Sequence, residues 1–599
     1  MIINALNRYY EILVEDEKSG IPLEGYSSAK VGFALVISDE GKLVDVINLK
    51  VEGGKGKKLI PRILTVPEQK IRSSGIASNF MCDNSTYVLG VDNKGKPERT
   101  KEAFEAFKDL HNKVLGSATG RCARAILNFV NMWNHLEAET HKTLKSYLDE
   151  IKEGSNIVFR LDGEKDFTHN DEEIRRNWEL FNTKAGDDVC GQCLINGEKA
   201  VIAKLHPPIK NVKNAQSSGA SIVSFNAKAY ESYGKENGYI APISKRATFA
   251  YTTTLNHMLS NPKQKVQIGD ATTVFWAESP EDIYVDLAAE FFNPIYIQDG
   301  KENKNSYRRD LQIEELVKDV LVKTKSGDKF NEVNEKINSK TKFYVLGLSP
   351  NASRISIRFF QTDSFGGFIE KTLQHYKDMD IIKEFKNQPD NIPIWKILAE
   401  TVPPESREKA STPILGGALM RSILSGGLYP QSLYSSIIQR VKSDSAKRVD
   451  YLRASIIKAY LSRKGRITKN KLLEEVVTVA LNEQTTEKSY LLGRLFAILE
   501  KTQIDAGNET IRARYFTSAM TTPGATFPIL LRLAQHHIAK AEFGFVNDKK
   551  IEGVLNEVEG FPAHLNLDEQ GLFTLGYYQQ RVKLWEKKAK ENNNFEEEK

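Results

Sequence analysis

The pattern of apolar residues changes near residue 380, and no other feature constrains the fold as much. Up to that point strand-like and helix-like stretches alternate. Val31–Ile37 and Leu43–Leu49 read as strands around the Asp39-Glu40-Gly41-Lys42 turn, and Ile63–Val66, Ile157–Leu161, Ala200–Leu205 and Thr272–Ala277 also read as strands. Lys342–Leu348 and Arg354–Gln361 predict a hairpin through Ser349-Pro350-Asn351. Helical spacing covers Phe104–Leu115, Cys122–Trp133, Ala247–Leu259, Glu281–Phe291 and Gly366–Met379, and Lys301–Asn305 reads as an exposed loop. Beyond residue 380 only helical periodicity remains. It covers Pro413–Ser425, Pro430–Val441, Ala446–Ser462, Lys488–Asp505, Gly524–Ala541 and Asp568–Lys588. The apolar face of Phe527, Leu530, Leu531, Ala534 and Ile538 opposes Arg532, Gln535, His536 and Lys540, as expected of a bundle helix. The fold class is therefore α+β: a mixed α/β N-terminal region followed by an all-helical C-terminal bundle. At 599 residues the chain exceeds one core. Pro403-Pro404 lies near the change of pattern, and the expected partition is 1–380, 381–480 and 481–599. The tail after Lys588 is charged and expected to fray.

Composition excludes several classes. Hydrophobic content of 40% is that of a folded soluble protein. The N-terminal stretch carries Arg8 within its apolar residues, so an amphipathic helix fits better than a signal peptide. No apolar run is long enough to span a bilayer, so no membrane association and a cytoplasmic location are expected.

Charge is modest in sum, +6, but uneven. From Arg421 to Lys471 twelve Lys/Arg residues face only Asp444 and Asp450. Within that run Arg440, Lys442, Lys447, Arg448, Arg453 and Lys458 fall on two successive helical patterns. A second cluster holds Lys55, Lys57, Lys58, Arg62, Lys70 and Arg72 against Glu68. Concentrated positive charge in a near-neutral chain points to a polyanion, with nucleic acid foremost. Lys210–Gly234 adds a row of short donors and acceptors: Asn211, Asn214, Gln216, Ser217, Ser218, Ser221, Ser224 and Asn226. Lys210, Lys213 and Lys228 flank it, and Tyr230 and Tyr233 follow. Small amides and hydroxyls reach both phosphates and base edges. A polar loop capping the Ile222-Val223 strand is the plainer reading of the same residues.

The motifs for chemistry are weak. Gly53-Gly54-Lys55-Gly56-Lys57-Lys58 lacks the Ser/Thr of a P-loop. Asp162-Gly163-Glu164 is a turn signal before it is a carboxylate set. No Gly-x-Ser-x-Gly elbow occurs. Cys190 and Cys193 form CGQC with no second pair, so a reduced pair in a turn is expected, with no metal and no cofactor. Adjacent His536 and His537 on a helix point apart. The residues describe a binder, not an enzyme.

Several segments carry a resemblance to a known family: VGFALVISDEGKLVDV, KKLIPRILTVP, SSGIASNFMCDNSTYVLG, CLINGEKAVIAKLHPPIKNVKNAQSSGASIVSFNAKAYESYG, FAYTTTLNHML, IGDATTVFWAE, FYVLGLSPNASRISIRFF, and LLGRLFAILEKTQ with RLAQHHIAK. Together they resemble the large subunit of the type I-C (Dvulg subtype) CRISPR surveillance complex, Cascade, over essentially the whole chain. The resemblance implies a subunit that joins a guide CRISPR RNA, a crRNA-processing subunit, repeated backbone subunits and small subunits. Such a subunit reads the protospacer-adjacent motif on double-stranded target DNA, helps open the duplex and recruits a helicase-nuclease, and it cuts nothing. It further implies that the C-terminal bundle is similar to a small subunit. Candidate motif readers are then Asn79, Asn84, Gln216, Ser217, Ser218 and Asn226, with turn-capping as the other reading of Asn79 and Asn84. Candidate contacts to the DNA backbone are the two basic clusters with Lys210 and Lys213. A metal-dependent nuclease built on Asp162 and Glu164, and a guide-RNA scaffold without motif readout, are the alternatives.

Overall fold

The computed structural model describes residues 2–16, 18–53, 58–70, 72, 75–183, 189–292, 297–298, 301–302, 337–403, 413–444 and 449–597. The expected Lys301–Asn305 loop lies largely outside them. The chain forms two compact units, residues 1–207 with 223–257, and residues 208–222 with 258–599. This division differs from the partition at 380 and 480, because the unit boundary follows shared cores and not the loss of strand periodicity.

In the first unit the Tyr26–Ile37 strand is the organising element. Its second half pairs antiparallel with Leu43–Asn48 and its first half with Arg62–Pro67, while Asn156–Leu161 runs parallel on the other side. Asp83–Asn84 closes that edge. Residues 33–37 are buried on both faces, as a strand with a parallel neighbour requires. Phe33, Leu35 and Ile37 pack with the Pro97–Leu115 and Arg121–Met132 helices through Phe107, Ile126 and Phe129. The Ile2–Glu15 helix buries Ala5, Leu6, Tyr9, Tyr10 and Leu13 at helical spacing, and so confirms the amphipathic reading of the N-terminus.

The second unit holds an antiparallel sheet in the order Lys265–Ile268, Ala271–Ala277, Lys342–Asn351, Arg354–Ser364. The expected hairpin is present, with Lys342 opposite Ser364 and Asn351 opposite Arg354, but Ser349-Pro350-Asn351 extend the first strand and the turn is Ala352-Ser353. Every residue of Ala271–Ala277 is buried, which is the reason its sequence shows no alternation. From Phe365 onward the described residues are helical or irregular, and one hydrophobic core runs from Ile268 to Val582. The α+β class holds.

The C-terminal helices do not keep that core to themselves. Tyr578 donates its hydroxyl to the Ile382 carbonyl at 3.0 Å, Gln579 to that of Thr478 at 2.8 Å, and Tyr434 to that of Leu567 at 3.0 Å. Helices at Lys471–Val476, Ile511–Thr521 and Gly544–Leu555 lie outside the stretches expected from periodicity, and the first is under two turns long. The last helix passes Lys588 and runs from Leu567 to Glu597.

The tightest contact of the bundle lies between Lys488–Asp505 and Leu567–Glu597. A Cβ on Gly493 would sit 1.9 Å from the Phe573 carbonyl oxygen, and one on Gly576 would sit 2.2 Å from that of Tyr490. Two glycines thus allow the backbones to meet. Gly493→Ala is expected to cost about 1–3 kcal/mol by overpacking, read as a lower thermal midpoint. A fragment starting at Leu481 loses the partners of Tyr578 and Gln579 just described. It is expected to melt well below residues 258–599, a result checked by circular dichroism on both fragments.

Candidate nucleic-acid interface

The excursion 208–222 of the second unit carries an exposed polar surface. Two backbone bonds close its base, Ile209 N–H to Ala220 O and Ala220 N–H to Ile209 O, both 2.9 Å. Ser221 then joins the end of the long hairpin. Its N–H donates to Ser353 O at 3.1 Å and its carbonyl accepts from Ile355 N–H at 3.0 Å. Ile209, Val212 and Ala220 are buried and act as anchors. Lys213 N–H donates to Thr272 Oγ1 at 3.0 Å, tying the loop to the neighbouring strand.

The tight path needs special backbone. Asn211 and Asn214 both have φ +63°, a left-handed conformation that Asn tolerates better than most residues. Gly219 has φ +98°, and a Cβ there would lie 2.8 Å from Pro208 and 2.9 Å from Ile209 O. Lys210, Asn211, Lys213, Asn214, Gln216, Ser217 and Ser218 are all exposed on this frame, and no acid lies within 208–222. The loop is thus an anchored, acid-free array of amides, hydroxyls and two ammonium groups. Arg354, half-buried where Ser221 joins the hairpin, went unnoticed in the sequence because strand periodicity accounted for it. Asn226 is exposed and belongs to the first unit.

The other candidates distribute differently. Asn79 is buried, and its side chain serves the fold. Oδ1 accepts from Lys70 N–H at 2.8 Å and Nδ2 donates to Gln69 Oε1 at 3.0 Å. Asn84 caps the Ser85–Val88 helix by accepting from Thr86 N–H. The capping reading describes Asn84, whereas the Asn79 side chain bridges to residues 69 and 70 and caps nothing. Arg72 is engaged by the buried Asp83, with one bond at 2.9 Å, and lies over the Tyr87 ring at 3.9 Å. Arg62 and Lys70 are exposed. Lys55 and Lys57 lie outside the described residues, as does the Lys58 side chain. Asp162-Gly163-Glu164 is a turn, with Gly163 at φ +80° and Glu164 3.1 Å from Arg121. Cys193 is buried, and its Sγ accepts from Ser244 N–H at 3.3 Å and Ile195 N–H at 3.4 Å, while Cys190 is exposed. Among the described residues no three His, Cys, Asp or Glu side chains form a metal-holding group, and no helix is long and apolar enough to cross a membrane.

The large basic run requires a correction. Arg440, Arg453, Lys458 and Arg463 do not form a solvent face; all four are buried. Arg440 and Arg453 share Asp444, and Arg453 also meets Glu400 at 3.3 Å. Arg463 Nε donates to Asp378 Oδ2 at 2.9 Å, and Arg466 binds both oxygens of the same carboxylate at 2.8 and 2.9 Å. Lys458 donates to the Asp378 carbonyl at 3.1 Å, and burial lowers its pKa. Lys442 is half-buried, and Lys447 and Arg448 lie outside the described residues. Besides Asp444 within the run, the acids that neutralise it, Asp378, Glu400 and Asp568, stand outside it in sequence. Only Arg421, Arg466, Lys469 and Lys471 of the described members are exposed.

Burial opposes charge on Asp378, but the hydrogen bond and charge of Arg466 with the charge of Arg463 overcome it, holding its carboxyl below the usual range. A depressed native pKa adds stability above the unfolded value of about 3.9, and that stability disappears as pH falls through the native value. Asp378→Asn is therefore expected to destabilise by roughly 3–5 kcal/mol near neutral pH, because it strands buried guanidinium charge. Denaturant melts should show the gap between wild type and variant narrowing below about pH 4.

The family described as CRISPR-associated protein (Cas_Csd1) matches residues 6–585. No curated protein matches the chain.

Proposed function

Because the chain belongs to the Cas_Csd1 family of CRISPR-associated proteins, we propose that it is the non-catalytic large subunit of a type I-C surveillance complex and reads the protospacer-adjacent motif on duplex DNA. The observation that carries this reading is the anchored loop 208–222, with Gln216, Ser217 and Ser218 exposed beside Lys210 and Lys213 and no acid among them. An amide at the tip of a fixed loop can bond a base edge in a groove, and two flanking ammonium groups can hold phosphates. The bond from Lys213 N–H to Thr272 and the pairing of Ile209 with Ala220 fix the loop before DNA arrives, so little ordering entropy opposes binding. The guide RNA reads the remaining sequence, and the subunit contributes strand opening and recruitment of a helicase-nuclease.

The assembled complex, titrated with duplexes bearing a randomised flank, tests this. Gln216→Ala is expected to lower discrimination between cognate and non-cognate flanks by roughly 1–3 kcal/mol. An equal loss on both flanks would refute base reading by Gln216. Lys210→Gln and Lys213→Gln should weaken all flanks alike, each lowering the slope of log affinity against log salt by about 0.9. Arg453→Met serves as the contrast, since its guanidinium is spent on Asp444 and Glu400. It should lower the melting midpoint and leave that slope unchanged.

A further inference from the structure

In the first unit, residues 226–236 are all exposed, yet they follow a defined path. Lys228–Tyr230 forms a 3-10 turn. Ser232 and Lys235 then pair across a tight turn, with Lys235 N–H donating to Ser232 O at 3.0 Å. The two central residues of that turn, Tyr233 and Gly234, have φ +52° and +67°. Two successive positive φ values are the signature of a type I′ turn, where Asn, Asp and Gly are the favoured residues. A tyrosine in the left-handed region is unfavourable, and its ring gains nothing in return from the fold, because Tyr233 is 97% exposed. An aromatic side chain held outward at a backbone cost is best explained by something outside the chain.

The surroundings indicate what that is. Tyr230 is 43% exposed three residues earlier, and Lys228 and Lys235 are exposed nearby in the sequence. Glu231 is exposed as well, while Glu236 lies 3.6 Å from Lys204. The local charge is nearly balanced, so the patch is no phosphate clamp. Its distinctive resource is an aromatic face. We propose that Tyr233 is a stacking platform for an unpaired base of single-stranded nucleic acid. Every base has a π-face, so such a platform accepts any sequence, RNA or DNA alike. Phosphate contributes little here, so the affinity that Tyr233 supplies is nearly independent of salt. The proposal rests on the reading of the chain as a nucleic-acid-binding subunit, but on none of the residues assigned to flank reading.

The test uses the full chain with single-stranded RNA and DNA oligonucleotides carrying 2-aminopurine, whose fluorescence falls on stacking. Tyr233→Asn removes the ring and installs a residue that favours the turn, so its melting midpoint should equal or exceed that of wild type. It is expected to weaken binding on the order of 5- to 100-fold and to abolish quenching, with the salt slope unchanged. Tyr233→Phe should bind within about twofold of wild type and Tyr233→Trp at least as tightly. Loss with RNA alone assigns the platform to guide-type strands, and loss with DNA alone assigns it to a displaced strand. Unchanged affinity of Tyr233→Asn for both oligonucleotides overturns the proposal. So does a loss in Tyr233→Phe as large as that in Tyr233→Asn, which would assign the effect to the hydroxyl. These oligonucleotides contain no duplex and no flank, so the outcome is independent of the Gln216 measurement.

Discussion

The second unit depends on one carboxylate. Asp378 lies near the end of the Phe365–Met379 helix, which follows directly from the Arg354–Ser364 strand, and only 2% of it is exposed. Arg463 and Arg466 both reach it from the Tyr451–Thr468 helix, and Gln374 donates to it at 2.8 Å. Lys458 from the same helix donates to the Asp378 carbonyl, where the helix leaves its last acceptors open. The Arg463 guanidinium also lies 4.1 Å from the Tyr429 ring, and Tyr429 bonds the buried His375. The sheet is thereby joined to the helices that follow by charge as well as by apolar packing. Loss of Asp378 would leave the buried Arg463 guanidinium with neither water nor its counter-ion.

That centre also explains why a strongly basic stretch makes a poor guide to a binding surface. Charge in sequence becomes field at a surface only if the fold leaves it unpaired. Asp444 takes two guanidiniums, Asp378 takes two more, and Lys464 goes to Asp568. Lys213, by contrast, stays exposed, because the residues that anchor its loop are apolar and its turns are made by backbone bonds. A loop built that way can hold polar side chains outward.

Strand and helix placement was legible where periodicity ran long. Pro413–Ser425 and Lys488–Asp505 match residue for residue, and the Lys342–Ser364 hairpin has longer arms and a turn at Ala352-Ser353 in place of Ser349-Pro350-Asn351. The expected Ala446–Ser462 helix instead occupies Tyr451–Thr468, with Asp450 accepting from Arg453 N–H as its cap. Local pattern could not place that start, because a capping bond depends on where the preceding chain arrives. Of the site, the loop 210–218 was legible from its run of short polar residues. Asn79 and Arg72 looked the same in sequence but serve Gln69, Lys70 and Asp83.

What the sequence determined by itself is therefore local: which stretches alternate, which repeat at helical spacing, and where Asn and Gly permit a left-handed turn, since backbone sterics and side-chain patterning act within a few residues. Only the tertiary structure decided which polar groups remain available. Whether Arg453 is free or buried depends on Glu400, and whether Arg463 is free depends on Asp378, at separations of 53 and 85 residues. Electrostatic pairing acts through space, and no periodicity along the chain records it.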